Sequence, residues 1–188
     1  MDSILYIKNM VCDRCKMAVD QVMRNNGLLP ISVELGKVVI AHSIDVPLRS
    51  QIKKQLETLG FELLDDRKQQ LIEQIKTAVI QLVHYHDGMT NTNLSDYLTS
   101  KLHSDYSALS KLFSEVTGQT LERYLIEQRI ERAKELIRYD ELSLTQIAFQ
   151  LNYSSVAHLS SQFKSVTGMT PSQFKALKNN ARRNLDEI

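Results

Sequence analysis

Cys12 and Cys15 are the only cysteines among 188 residues, and they stand three apart. Two soft thiolates at that spacing suit a soft ion such as Cu(I), or a redox pair, better than a structural disulfide framework. Alone they cannot close a tetrahedral zinc site. They fall where a helix is expected to begin, and the helix dipole is expected to lower their pKa. A second chemistry lies toward the other end of the chain. Between Leu142 and Leu185 there is no Asp or Glu, while Lys164, Lys175, Lys178, Arg182 and Arg183 supply positive charge. An acid-free basic segment of this kind suits a phosphate backbone.

The elements that carry the basic segment can be read from spacing. Ser143 with Gln146 makes a capping box, and Leu144, Ile147, Ala148 and Leu151 recur at helical spacing. Asn152 can take the left-handed conformation a sharp turn needs, and Ser154 or Ser155 can cap a second helix whose buried positions are Val156, Leu159, Phe163 and Val166. Gly168 stops it, and Thr170 before Pro171 opens a third. Residues 109–120, LSKLFSEVTGQT, repeat residues 159–170, LSSQFKSVTGMT, at an offset of fifty. The two copies are joined by an expected helix from Thr120 to Tyr139, about 30 Å long at 1.5 Å per residue. Its charges, Glu127, Arg129, Glu131, Arg132, Lys134 and Glu135, are read as a solvated face.

In residue order, SLTQIAFQLNYSSVAHLSSQFKSVTGMTPSQFK resembles the second helix-turn-helix of AraC/XylS-type bacterial transcription regulators. Asn152 stands where that family usually has glycine, Tyr153 where it has phenylalanine, and Leu159 where it has an aromatic residue. The resemblance implies double-stranded DNA as partner, read by two helices in successive major grooves, which lie about 34–36 Å apart. Base-edge readers are expected at Tyr106, Ser107, Ser110 and Lys111 in the first copy, and at Ser155, His158, Ser161 and Gln162 in the second. Lys164, Lys175 and Lys178 are expected to hold phosphate.

Residues 1–66 follow another pattern. Ile4 and Tyr6, then Ile31, Val33 and Leu35, alternate as half-buried strands do, and Gly36 makes a hairpin to a strand over 38–44. Helices are expected from Cys15 to Asn26 and from Pro47 to Leu59, and a last strand over Phe61 to Leu64. Strand and helix in the order βαββαβ predict a ferredoxin-like sandwich, so the fold class is α+β with an all-α double helix-turn-helix domain after it. Asn9-Met10-Val11-Cys12-Asp13-Arg14-Cys15 resembles the metal loop of heavy-metal-associated domains, with Asn9 in place of the usual glycine. Leu59-Gly60-Phe61 matches the loop that faces the site in transporter-type members. The resemblance implies Cys12 and Cys15 as ligands to Cu(I) or another soft metal; Met10 is read as core.

The domain reading is 1–66 for the ferredoxin-like domain, 67–78 for a helical linker, 79–178 for the DNA-binding domain and 179–188 for a tail. Composition is ordinary for a soluble globular chain, and no apolar run or cleavable leader suggests a membrane, so a cytoplasmic protein is expected. Residues 1–66 carry 8 basic and 9 acidic residues and residues 67–188 carry 15 and 13, so the basic excess lies in the helical part. The reading is a DNA-binding transcription regulator, not an enzyme, for which a second copy of the chain and a metal donor protein are further partners to consider. Two rivals stand beside it: a soft-metal carrier whose helical part is an interaction module, and a thiol redox protein.

Overall fold

A computed structural model describes residues 3–85 and 93–177, which divide into two compact units, Met1–Thr77 and Ala78–Ile188. The first unit runs β1 (Ser3–Lys8), α1 (Asp13–Asn25), β2 (Pro30–Glu34), β3 (Lys37–Ile40), α2 (Val46–Thr58), β4 (Glu62–Leu64), and then the first part of α3 (Arg67–His84). The strands form one antiparallel sheet in the order β2-β3-β1-β4. The pleat explains which side is covered. Leu5 pairs with Val38 and Ile7 with Leu63, so these four side chains share a face. That face is buried in one cluster with Val19, Val22 and Met23 of α1 and Ile52 and Leu56 of α2.

Three details depart from expectation. β3 ends at Ile40 rather than running to residue 44, because Ile40 already pairs with Ser3 on one side and Pro30 on the other, near the ends of both partner strands. α1 begins at Asp13, with Cys12 as its N-cap. Of residues 67–78, expected as a linker, 67–77 fall in the first unit. Gln70 Nε2 donates to the Leu64 carbonyl at 3.0 Å, Glu73 Oε1 accepts from the Asn9 N–H at 3.2 Å, and Thr77 lies against Gly36.

The second unit holds the rest of α3, then α4 (Leu94–Leu102), α5 (Tyr106–Thr117), α6 (Leu121–Tyr139), α7 (Leu144–Gln150), α8 (Val156–Thr167) and α9 (Pro171–Ala176). Lys178 and the expected tail 179–188 lie outside the described residues. The duplication in sequence is a duplication in structure. Asn93 and Ser143 cap α4 and α7; Asp105 and Ser155 cap α5 and α8; Thr120 and Thr170 cap α6 and α9. Gly118 and Gly168 each end a helix in the left-handed region, at φ 75° and 80°. Thr117 and Thr167 both donate to the carbonyl four residues back, at 2.7 Å. Phe113 meets Tyr124 with ring centroids 5.4 Å apart, and Phe163 meets Phe174 at the same separation.

The copies differ at the turn. In the second, Asn152 takes φ 56°, as expected of it; in the first the left-handed residue is His103, one position later on the fifty-residue offset.

α6 packs against α5, α7, α8 and α9, and this overturns its expected solvated face. Glu131 is fully buried and Lys134 nearly so, with Nζ to Oε1 at 2.6 Å, while Arg132 and Glu135 are half-buried and 2.6 Å apart. A helix enclosed on several sides has little surface left for solvent. Glu131 with Lys134 and Arg132 with Glu135 are paired instead.

Candidate nucleic-acid interface and thiol pair

The caps and the buried stripes decide what α5 and α8 present outward. In α8, Leu159 and Phe163 point into the core with Phe174 and Tyr153. The opposite stripe, Ala157, His158, Ser161, Lys164 and Ser165, is exposed, at the i, i+1, i+4, i+7, i+8 spacing of one helix face. α5 repeats it: Leu109 and Phe113 are buried, and Ser107, Ala108, Lys111 and Glu115 are exposed. Ala108, Ala157 and Ser165 were absent from the sequence reading. Counting round each helix from its buried pair, Leu109 and Phe113 in α5 and Leu159 and Phe163 in α8, finds them.

The expected readers divide on this geometry. His158 and Ser161 lie on the exposed stripe of α8 and Lys111 on that of α5, where it stands 4.0 Å from Glu115. Ser155 is exposed, but its hydroxyl accepts from the His158 N–H at 3.1 Å as the cap. The Ser107 hydroxyl donates to Asp105, whose carboxyl is held below its ordinary range first by that bond and then by the N–H groups of Ala108 and Ser107. Ser110 and Gln162 are half-buried. Tyr106 is half-buried too, and its hydroxyl donates to Glu122 Oε1 at 2.6 Å. Burial, then that carboxylate, push its pKa well up, so it stays a neutral donor already in use. Among the expected phosphate holders, Lys164 is exposed and Lys175 is paired with Asp140.

At the first unit, Asn9 adopts φ 71°, so asparagine supplies the left-handed turn for which glycine is usual. Its Nδ2 donates to the Gly60 carbonyl at 2.9 Å, which ties the cysteine loop to the Leu59-Gly60-Phe61 loop. Met10 is core, 1% exposed. Cys12 and Cys15 are half-buried free thiols with Sγ atoms 3.3 Å apart. One correction is needed. Burial is the largest influence on Cys15 and pushes its thiol up, against the lowering expected from the helix start; the Val11 backbone bond opposes it less strongly.

Should a metal bind here, the two thiols would offer it soft ligands. Among the described residues, no third His, Cys, Asp or Glu joins them to make a closed site. No helix among the described residues is long and apolar enough to cross a membrane.

Known proteins resemble this chain over stretches of differing length. The chain is 33% identical over 114 residues to a Staphylococcus aureus protein described as an uncharacterized HTH-type transcriptional regulator, a match over 60% of this chain and 14% of that one. It is 23% identical over 163 residues to the HTH-type transcriptional regulator YdeC of Bacillus subtilis, covering 86% of this chain and 53% of the relative. The chain thus spans only a small part of the first of these relatives and about half of the second. Among solved structures it is similar to the C-terminal domain of AraT, a response regulator from Geobacillus stearothermophilus, at 22% identity and a TM-score of 0.49 over 58% of this chain and 87% of that one. A family model described as a helix-turn-helix domain matches residues 98–176. That stretch runs from within α4 to the end of α9.

Proposed function

We propose that the chain is an AraC-type transcription regulator that binds double-stranded DNA with α5 and α8 in successive major grooves. The observation that carries this is the paired architecture: two capped helix-turn-helix units in tandem, each with an exposed outer stripe on its second helix, joined by the 19-residue α6. At 1.5 Å per residue α6 is about 28 Å long, which with its flanking turns suits the 34–36 Å spacing of grooves on one DNA face. The relatives named as transcriptional regulators support the same reading. The test is to select bound fragments from the host genome with purified protein and map contacts by nuclease protection. Two protected grooves about 10 bp apart are expected, and half a turn of DNA inserted between them should abolish most specific binding. Unchanged binding after the insertion rejects the bipartite mode.

A second reading concerns the first unit, taken as a ferredoxin-like, heavy-metal-associated-type domain that senses soft metal. It is favoured by two half-buried free thiols at the start of α1, with Sγ atoms 3.3 Å apart. Cys12 and Cys15 would hold the ion, and Cu(I) would supply a charge change and a fixed loop conformation. Metal titration of the reduced protein and of the Cys12→Ser, Cys15→Ser double variant tests it.

A further inference from the structure

Among the described residues of the second unit, Arg129 stands without a counter-charge. In α6, Arg123 reaches Glu127 at 2.9 Å, Arg132 reaches Glu135 and Lys134 reaches Glu131. Arg129 does not follow them. Its guanidinium lies 5.7 Å from the ring centroid of Tyr153, and it has no carboxylate or other hydrogen-bond acceptor among the described residues. The side chain is half-buried, and desolvation lowers its pKa. A guanidinium partly removed from water with its N–H donors unanswered is a standing cost to the fold.

Placement gives the cost a use. Tyr153 is buried, 7% exposed, so its ring is a fixed platform. The same ring meets His158, in the first turn of α8, edge-on at 5.2 Å. Arg129 and the entry of the proposed recognition helix therefore touch one aromatic ring from different elements. No Asp or Glu occurs from Leu142 to Leu177, so no acid in that stretch competes for the guanidinium. Arginine stacked on an aromatic face keeps its planar fork pre-organised, and the fork matches two oxygens of a phosphate.

We infer that Arg129, held by the Tyr153 ring, binds a DNA backbone phosphate beside the groove that receives α8. The contact rests on the DNA-binding reading above and deepens it. Arg129 is the contact residue and Tyr153 the positioning residue, and because a phosphate carries no base identity, Arg129 contributes equally to every sequence.

The experiment uses the full chain and measures affinity for the selected site and for random-sequence duplex DNA across a salt series, with Arg129→Gln, Arg129→Lys and Tyr153→Phe. Arg129→Gln is expected to weaken both DNAs by the same factor and to reduce the salt slope of log K by about 0.9, the value of one phosphate. Arg129→Lys should keep the parent slope with weaker binding, since the charge survives and the fork does not. Tyr153→Phe keeps the ring and should match the parent in both respects. A parent slope in Arg129→Gln overturns the assignment, as does an equal loss in the Gln and Lys variants with no change of slope, which marks a packing role. If the parent binds neither DNA, this inference falls together with the reading beneath it. Should Arg129→Gln fail to fold, neutral methylphosphonate linkages placed singly in the selected duplex decide the matter. A linkage that weakens the parent more than Arg129→Lys supports the contact, and equal losses at every linkage overturn it.

Discussion

The backbone N–H of Asn9 donates to Oε1 of Glu73 at 3.2 Å, so the root of the cysteine loop is pinned by a carboxylate on α3. Glu73 is 7% exposed, and burial raises its pKa above the ordinary 4.5, opposed by Lys76, the Asn9 N–H and Lys8. A carboxyl with a raised folded pKa holds its proton in the folded state over a range where the unfolded chain has lost it. Its contribution to stability is complete below the unfolded value and lost as pH rises through the folded one.

Replacing Glu73 by Gln keeps an acceptor for Asn9 and removes the titration. Thermal melts of both proteins from pH 4.5 upward should therefore diverge, with the parent losing stability as pH rises and Glu73→Gln gaining relative to it. Parallel curves would mean that Glu73 ionises as freely in the fold as in the unfolded chain.

Gly36 tests the same contact region through shape. It sits at φ 75°, and a Cβ built there falls 2.9 Å from Thr77 Oγ1. Thr77 is β-branched and stiff in its helix, so it yields little. Gly118 has the same φ with open space around it. Gly118→Ala should cost only the left-handed penalty, about 1–2 kcal/mol, while Gly36→Ala should cost that plus an overpacking term of about 1–3 kcal/mol. Among the described residues Thr77 Oγ1 has no hydrogen-bond partner, so Thr77→Ala should recover the second term in the Gly36→Ala background. Urea denaturation of the four proteins measures this. Equal losses at Gly36 and Gly118 would remove the steric contact from the account.

The second unit was legible because its signals are local. Ser143, Thr170, Gly168 and the Asn152 turn act within a few residues of themselves, and the fifty-residue repeat showed that Phe113 and Phe163 do the same job. What was not legible depends on partners distant in sequence. Glu131 and Lys134 have the spacing of a solvated face and are buried only because α6 is enclosed by other helices. The length of β3 was set by where β1 and β2 run out, and the Cys15 thiol by burial that no motif records. Tyr106 shows the limit at the candidate site: its hydroxyl is taken by Glu122, sixteen residues on.

That bond separates two kinds of residue proposed to meet DNA. Tyr106→Phe removes a hydroxyl already in use within the protein, so base preference in a selection from random duplexes should be unchanged. Lys164 is exposed near the end of α8, and Lys164→Ala should weaken all sequences alike and reduce the salt slope by about 1 if it holds one phosphate. A changed base preference in Tyr106→Phe would restore the tyrosine as a reader, and an unchanged slope in Lys164→Ala would remove the lysine as a phosphate contact.

Soft metal as the signal is the last and most demanding prediction. Burial holds the Cys15 thiol in its protonated form to higher pH than usual, so capture of Cu(I) must displace a proton and should tighten as pH rises toward the thiol range. Capture alone is no switch. An ion changes DNA affinity only through a difference in its own affinity for the DNA-bound and free protein, and the same factor must then apply in both directions. A coupling of about 1–3 kcal/mol, or roughly 5- to 150-fold, is the range to look for. Affinity for the selected site should be measured under reducing conditions, with and without Cu(I), for the parent and for Cys12→Ser with Cys15→Ser. A shift in the parent that vanishes in the variant is expected. Equal affinities in all four states would leave α5 and α8 as DNA readers and strip the thiol pair of any role in controlling them.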